Sequence, residues 1–126
     1  MYSTHRKLYS VLITLTMLFS ITVNAAEIPD PNVSQKEAID RMHHKLHDDQ
    51  AAFKAKEAQA LKELNEMTVR DDVRIEDVNA KIDELMAAQK QIMRLRYSHL
   101  IEMRAILTEE QKVGYDKNVL KRSGVK

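Results

Sequence analysis

Histidine and methionine carry most of the chemical scope of this chain, which has five of the first, seven of the second and no cysteine. Three histidines crowd into Arg41-Met42-His43-His44-Lys45-Leu46-His47. His43 and His47 are four apart, which on a helix stacks them one turn above each other, so both imidazoles can grip one ion. His44 sits one residue round and points mostly away from the apolar side. A second pair, His99 and Met103, has the same spacing. Without thiolates, a transition-metal site here must be built from His, Met, Asp or Glu. Imidazole nitrogens with a thioether suit a late divalent ion: nickel, cobalt, copper or zinc. The competing readings are a solvated polar face for the first cluster and ordinary core packing for the second pair.

These side chains need elements to hold them, and the composition leaves little choice. Glycine and proline number two each and aromatics make up 5% of the 126 residues. Ala, Leu, Met, Gln, Glu, Lys and Arg dominate, and all are good helix formers. The fold class is therefore all-α, in one domain.

The first 25 residues read as an export signal. His5, Arg6 and Lys7 precede the apolar run Leu8–Val23, and Val23-Asn24-Ala25-Ala26 offers small residues for a signal peptidase. The run is short for a bilayer span, so an uncleaved inner-membrane anchor facing the periplasm is the lesser alternative. The expected location is the periplasm of a Gram-negative bacterium. The signal holds Arg6 and Lys7 and no acid, so 18 of the 20 basic residues remain against 19 acidic ones. No basic surplus is left to drive nucleic-acid binding.

Residues 26–33 read as a tether, because Pro29 and Pro31 prevent a helix. The domain proper is expected over 34–122, with a tail at 123–126. Ser34 with Glu37 has the spacing of a capping box, and the first helix should run to about Met67. A connection near 68–72 should end on Asp71 or Asp72 as the next cap. A second helix should reach about Leu107. Thr108-Glu109-Glu110-Gln111 forms another capping-box pattern for a short third helix ending near Lys121.

Ile39, Met42, Leu46, Phe53, Ala60, Leu64 and Met67 make an apolar stripe on the first helix. Positions 75, 78, 82, 85, 89, 92, 96, 99, 103 and 106 alternate steps of three and four on the second, a coiled-coil-like seam with polar interruptions. Two long helices of similar length joined by a short connection should fold back antiparallel. Each is about 50 Å long at 1.5 Å per residue. Such a hairpin buries little apolar surface by itself, so a homodimer is expected. A turn centred near residues 70–71 sets His99 opposite about residue 42, which brings His43 and His99 to one height on facing helices.

The segment His99-Leu100-Ile101-Glu102-Met103-Arg104-Ala105, then Leu107 and Tyr115-Asp116, resembles the CnrX family of periplasmic cobalt/nickel sensors. That family belongs with the Spy/CpxP/ZraP group of exported helical-hairpin proteins, whose L-T-x-x-Q motif Leu107-Thr108-Glu109-Glu110-Gln111 also fits. The resemblance implies a dimer of helical protomers with buried metal sites, and it carries over directly to His99 and Met103. It also implies a first-helix H-x-x-x-H pair and a glutamate ligand. Here the mature chain starts too late for that helix, and His43, with His47, stands about where the glutamate is expected. A first L-T-x-x-Q is not recognisable near Ser34.

Three functions follow: a periplasmic heavy-metal sensor or buffer acting in resistance or envelope-stress signalling, a Spy/CpxP-like chaperone that needs neither ATP nor metal, or a structural coiled coil. A sensor would signal through a membrane-bound anti-sigma factor or a sensor kinase. No nucleophile–base arrangement and no glycine-rich phosphate loop are visible, so an enzyme is not expected.

Overall fold

Pro29 and Pro31 keep the chain out of helix up to Asn32, and the first helix begins on the next residue. The computed structural model describes residues 28–122. The expected signal, the start of the expected tether and the expected tail lie outside them. Helix α1 spans Val33–Met67, α2 spans Ile75–Ala105 and α3 spans Glu109–Arg122. No strand accompanies them among the described residues. The architecture is an all-α hairpin of two long antiparallel helices with a short third helix folded across its open end.

The start of α1 differs from expectation. The cap is Asn32, not Ser34, and the box closes on Gln35, not Glu37. The Asn32 side chain accepts from the Gln35 backbone N–H at 2.8 Å, and the Gln35 side chain accepts from the Asn32 N–H at 3.0 Å. Pro31 explains the shift. A helix can start on the residue after a fixed turn, and an asparagine there caps as well as serine.

The connection also departs from the predicted caps. The Asp72 carboxylate is held by Arg70 through two hydrogen bonds of 3.1 Å, so it cannot cap. The chain runs on to Arg74, which precedes α2 without a side-chain cap and instead grips Asp77 in the first turn. Glu76 and Asp77 set negative charge against the positive end of the helix dipole. At its far end α2 stops at Ala105 rather than 107. At α3 the expected box is present: Gln111 N–H donates to Thr108 Oγ1 at 3.2 Å, and Thr108 N–H to Gln111 Oε1 at 3.0 Å.

The α1 stripe is half-buried or buried throughout, and Gln50 joins it. The α2 seam is shifted over part of its length. Leu85, Ala88, Ile92, His99 and Met103 are buried, with Val78, Lys81 and Leu95 half-buried, whereas Ile75, Ile82 and Arg96 face outward. The predicted positions 82 and 96 therefore yield to 81 and 95. Hydropathy favours Ile82 over Lys81, but Lys81 lays its stem in the seam and ends on Glu63 of α1 and Glu84. Tyr115 anchors α3: it is fully buried, and its hydroxyl donates to the Leu100 carbonyl at 3.0 Å. Arg104 adds a two-pronged bond to Asp116.

Candidate metal centre

The register of the hairpin decides which side chains meet. Gln50 Nε2 donates to the Ile92 carbonyl at 3.0 Å in the buried interface. One heptad back from Gln50 is His43, and one heptad on from Ile92 is His99. In an antiparallel pair these two steps lead to the same height. The rings of His43 and His99 face each other there, with centroids 5.1 Å apart and planes tilted by 44°. The expected facing of the two histidines is what the structure shows.

The environment of the pair is unusual for imidazole. His43 Nε2 is buried and has no hydrogen-bond partner. His99 is 9% exposed. Burial, and then the proximity of His43, push the His99 imidazole below its ordinary range, against a weaker opposing pull from Glu102. A ring held neutral keeps a nitrogen lone pair available, which is the state that ligates a metal. An orphaned ring nitrogen in a buried site calls for an explanation, and a role as a metal ligand is one.

Met103 lies one turn beyond His99 and is 2% exposed. It packs with Leu107 and Tyr115, and Ile28, Ile39, Met42, Leu100, Ile106 and Val119 close around that cluster. The remaining histidines are elsewhere. His44 is exposed and places Nδ1 2.8 Å from its own helix's Asp40 carbonyl. The His47 side chain is 81% exposed beside Asp48. Among the described residues no three His, Cys, Asp or Glu side chains converge on one point. The assembled donors are thus two imidazoles, with the Met103 thioether on the next turn.

Gln35, and its pairing with Gln111, escaped the sequence reading. Gln35 and Gln111 complete the capping boxes of α1 and α3, and they also bond each other. Gln35 Nε2 donates to Gln111 Oε1 at 2.7 Å, and Gln111 Nε2 to Gln35 Oε1 at 2.9 Å. Gln35 further reaches the Ile106 carbonyl. Asn32-Val33-Ser34-Gln35 is therefore the structural counterpart of Thr108-Glu109-Glu110-Gln111. The signal was available, since both are cap-x-x-Gln. In Leu107-Thr108-Glu109-Glu110-Gln111 each defining residue has work: Leu107 is buried in the end cluster, Thr108 caps, and Gln111 clasps α1. Residues 26–119 match the family described as LTXXQ motif family protein.

The chain belongs to the LTXXQ motif family. This family is associated with periplasmic helical proteins of the Spy/CpxP type. No curated protein and no solved structure gives a match. None of the described helices is long and apolar enough to cross a membrane. The LTXXQ motif accounts for the clasp between α1 and α3; the histidine pair lies outside it, on the long helices.

Proposed function

We propose that this LTXXQ protein is a periplasmic heavy-metal-binding protein, a sensor or buffer that takes one nickel, cobalt, copper or zinc ion per protomer between its long helices. The observation that carries the reading is the unpartnered Nε2 of His43 facing the neutral-favouring ring of His99. These residues fit such an ion: His43 and His99 offer nitrogens and Met103 offers a soft sulfur. The CnrX-like segment at His99–Ala105 supports two of these residues, His99 and Met103. His47 and His44 would contribute only through a rearrangement of their exposed side chains. A sensor of this kind would act as a homodimer and report to a membrane-bound anti-sigma factor or sensor kinase.

Titration with each ion, followed by calorimetry, tests this. One equivalent should bind and raise the melting temperature, because a ligand specific to the folded state stabilises it. Melting that ignores all four ions would sink the reading.

A second reading has its own observation. Ile82, Met86, Met93 and Tyr97 recur at steps of four, seven and four and form an exposed apolar stripe on α2. Such a stripe suits transient capture of unfolded chains, a Spy/CpxP-like ATP-independent chaperone activity. Suppression of client aggregation by metal-free protein would favour it.

A further inference from the structure

The segment before α1 is not a loose tether where the structure describes it. Gly114 of α3 carries no side chain, and the Pro29 ring fills that space: a Cβ on residue 114 would come within 2.5 Å of Pro29 Cγ and 3.4 Å of its Cδ. The Gln111 amide reaches the carbonyls of Pro29 at 3.2 Å and Asp30 at 3.4 Å. Asp30 takes a left-handed backbone, φ 44°, which turns the chain from this seat into Asn32. Ahead of the ring, Ile28 packs against the cluster of Met103, Leu107 and Tyr115. Pro29 and Asp30 themselves are exposed. Among the described residues the strap is held by the Pro29 ring on Gly114, the Gln111 amide and Ile28, while the long helices pack along their whole length. A segment with so few contacts opens at a lower free energy than the whole fold.

We propose that Ile28–Asp30 is a lid, seated on Gly114, that opens independently of the hairpin and controls access to the Met103 sulfur. The bearing on metal uptake rests on Met103 as a ligand; the lid itself does not. With Pro29 seated, Ile28 packs on the cluster that holds Met103 at 2% exposure; with it unseated, Ile28 would leave that cluster and the thioether would gain access to solutes. Solutes that seek sulfur, a soft metal ion or an oxidant, would then reach it only through the open form.

Hydrogen peroxide is the probe for the lid, because it needs no metal. The sulfur lone pair takes one peroxide oxygen as the O–O bond breaks, giving methionine sulfoxide and water. The rate is read at Met103 by mass spectrometry, with added free methionine as the reference. In the wild-type chain Met103 should oxidise more slowly than the free amino acid. Gly114→Ala should raise its rate on the order of tenfold, as expected when a close contact of a marginal segment is lost. The same change favours the α3 helix, because alanine has the higher propensity, so a faster rate would not come from a weaker helix. Adding Pro29→Ala removes the clashing ring atoms and should restore slow oxidation. An unchanged Met103 rate in Gly114→Ala overturns the lid, as does failure of the double variant to restore protection. Nickel, cobalt, copper and zinc titrations run separately: absence of binding by all four would overturn the metal site, and the peroxide result would still decide the lid.

Discussion

His43 and His99 sit side by side because a heptad on each helix separates them from the Gln50–Ile92 bond. Substituting either should be costly for metal binding in a graded way. Loss of outer-shell partners of a ligand commonly costs 10–100-fold in affinity, so His99→Ala should exceed about a hundredfold. His43→Ala should follow closely. Met103→Leu keeps volume and apolarity, so folding should survive, and affinity should fall more for copper than for zinc. His44→Ala and His47→Ala should change little; isothermal titration of the five variants checks the order, and equal damage from His47→Ala would mean that the side chain swings inward. The metal-free protein should also respond to pH. The folded His99 titrates below the ordinary imidazole value of about 6.5. Above that value both states are neutral at this ring and nothing is lost. Below it the unfolded chain takes up the proton first, so stability falls as the pH drops toward the folded value. Urea midpoints measured from pH 7.5 to 5 should decline in the wild type and flatten in His99→Gln; parallel curves would rule out this ring as the cause. The facing of this pair was readable from the turn position alone. The solvent-side position of His47 was not, because i, i+4 spacing fixes a common side but not which side the partner helix covers.

At the scale of the elements, the Gln35–Gln111 clasp ties the start of α1 to the start of α3, two segments far apart in sequence. Each glutamine also completes a capping box, so Gln35→Ala or Gln111→Ala should cost about 1–2 kcal/mol. Because the two amides are one network, the double variant should cost less than the two singles combined, by roughly 0.5 kcal/mol or more. Denaturant unfolding of the four-member cycle measures this. Strict additivity would mean that the mutual bond contributes nothing and that each glutamine acts only as a cap. The box at Thr108 was legible because threonine and glutamine stand at the standard spacing with no proline nearby. The box at Asn32 was missed because Ser34 offered a rival cap two residues later, and only Pro31 shows where the extended chain ends. The seam was legible where the buried residue was also the more apolar one, as at Leu85 and Ile92. It was misread at 81 and 95, where neighbouring positions compete and the helix axis decides. Lys81 wins its place through Glu63, a partner that no pattern on α2 alone reveals.

The whole molecule has a thin interior. Among the described residues only seven hydrophobic side chains are buried, and two of them are alanines. Meanwhile Ile75, Ile82, Met86, Met93, Tyr97 and Ile101 stand exposed along one face of α2. At 1.5 Å per residue this stripe is about 39 Å long. An apolar stripe of that length on a helix already packed on its other side is best covered by a matching stripe. A second copy supplies one, because a two-fold axis presents each patch to itself. Met93 lies about two-thirds of the way along the face. Met93→Glu would bury a carboxylate within the covered stripe and remove apolar contact. Sedimentation at micromolar concentration should show a dimer for the wild-type chain and a monomer for Met93→Glu, with a lower melting temperature that no longer depends on protein concentration. Metal affinity is the discriminating measurement. His43, His99 and Met103 belong to one protomer, so the monomeric variant should keep its affinity for zinc within a few fold at a temperature where it remains folded. A wild-type chain that sediments as a stable monomer would leave the stripe free for clients and shift the balance toward chaperone activity. A monomeric variant that folds but no longer binds metal would place a donor from the second copy in the site.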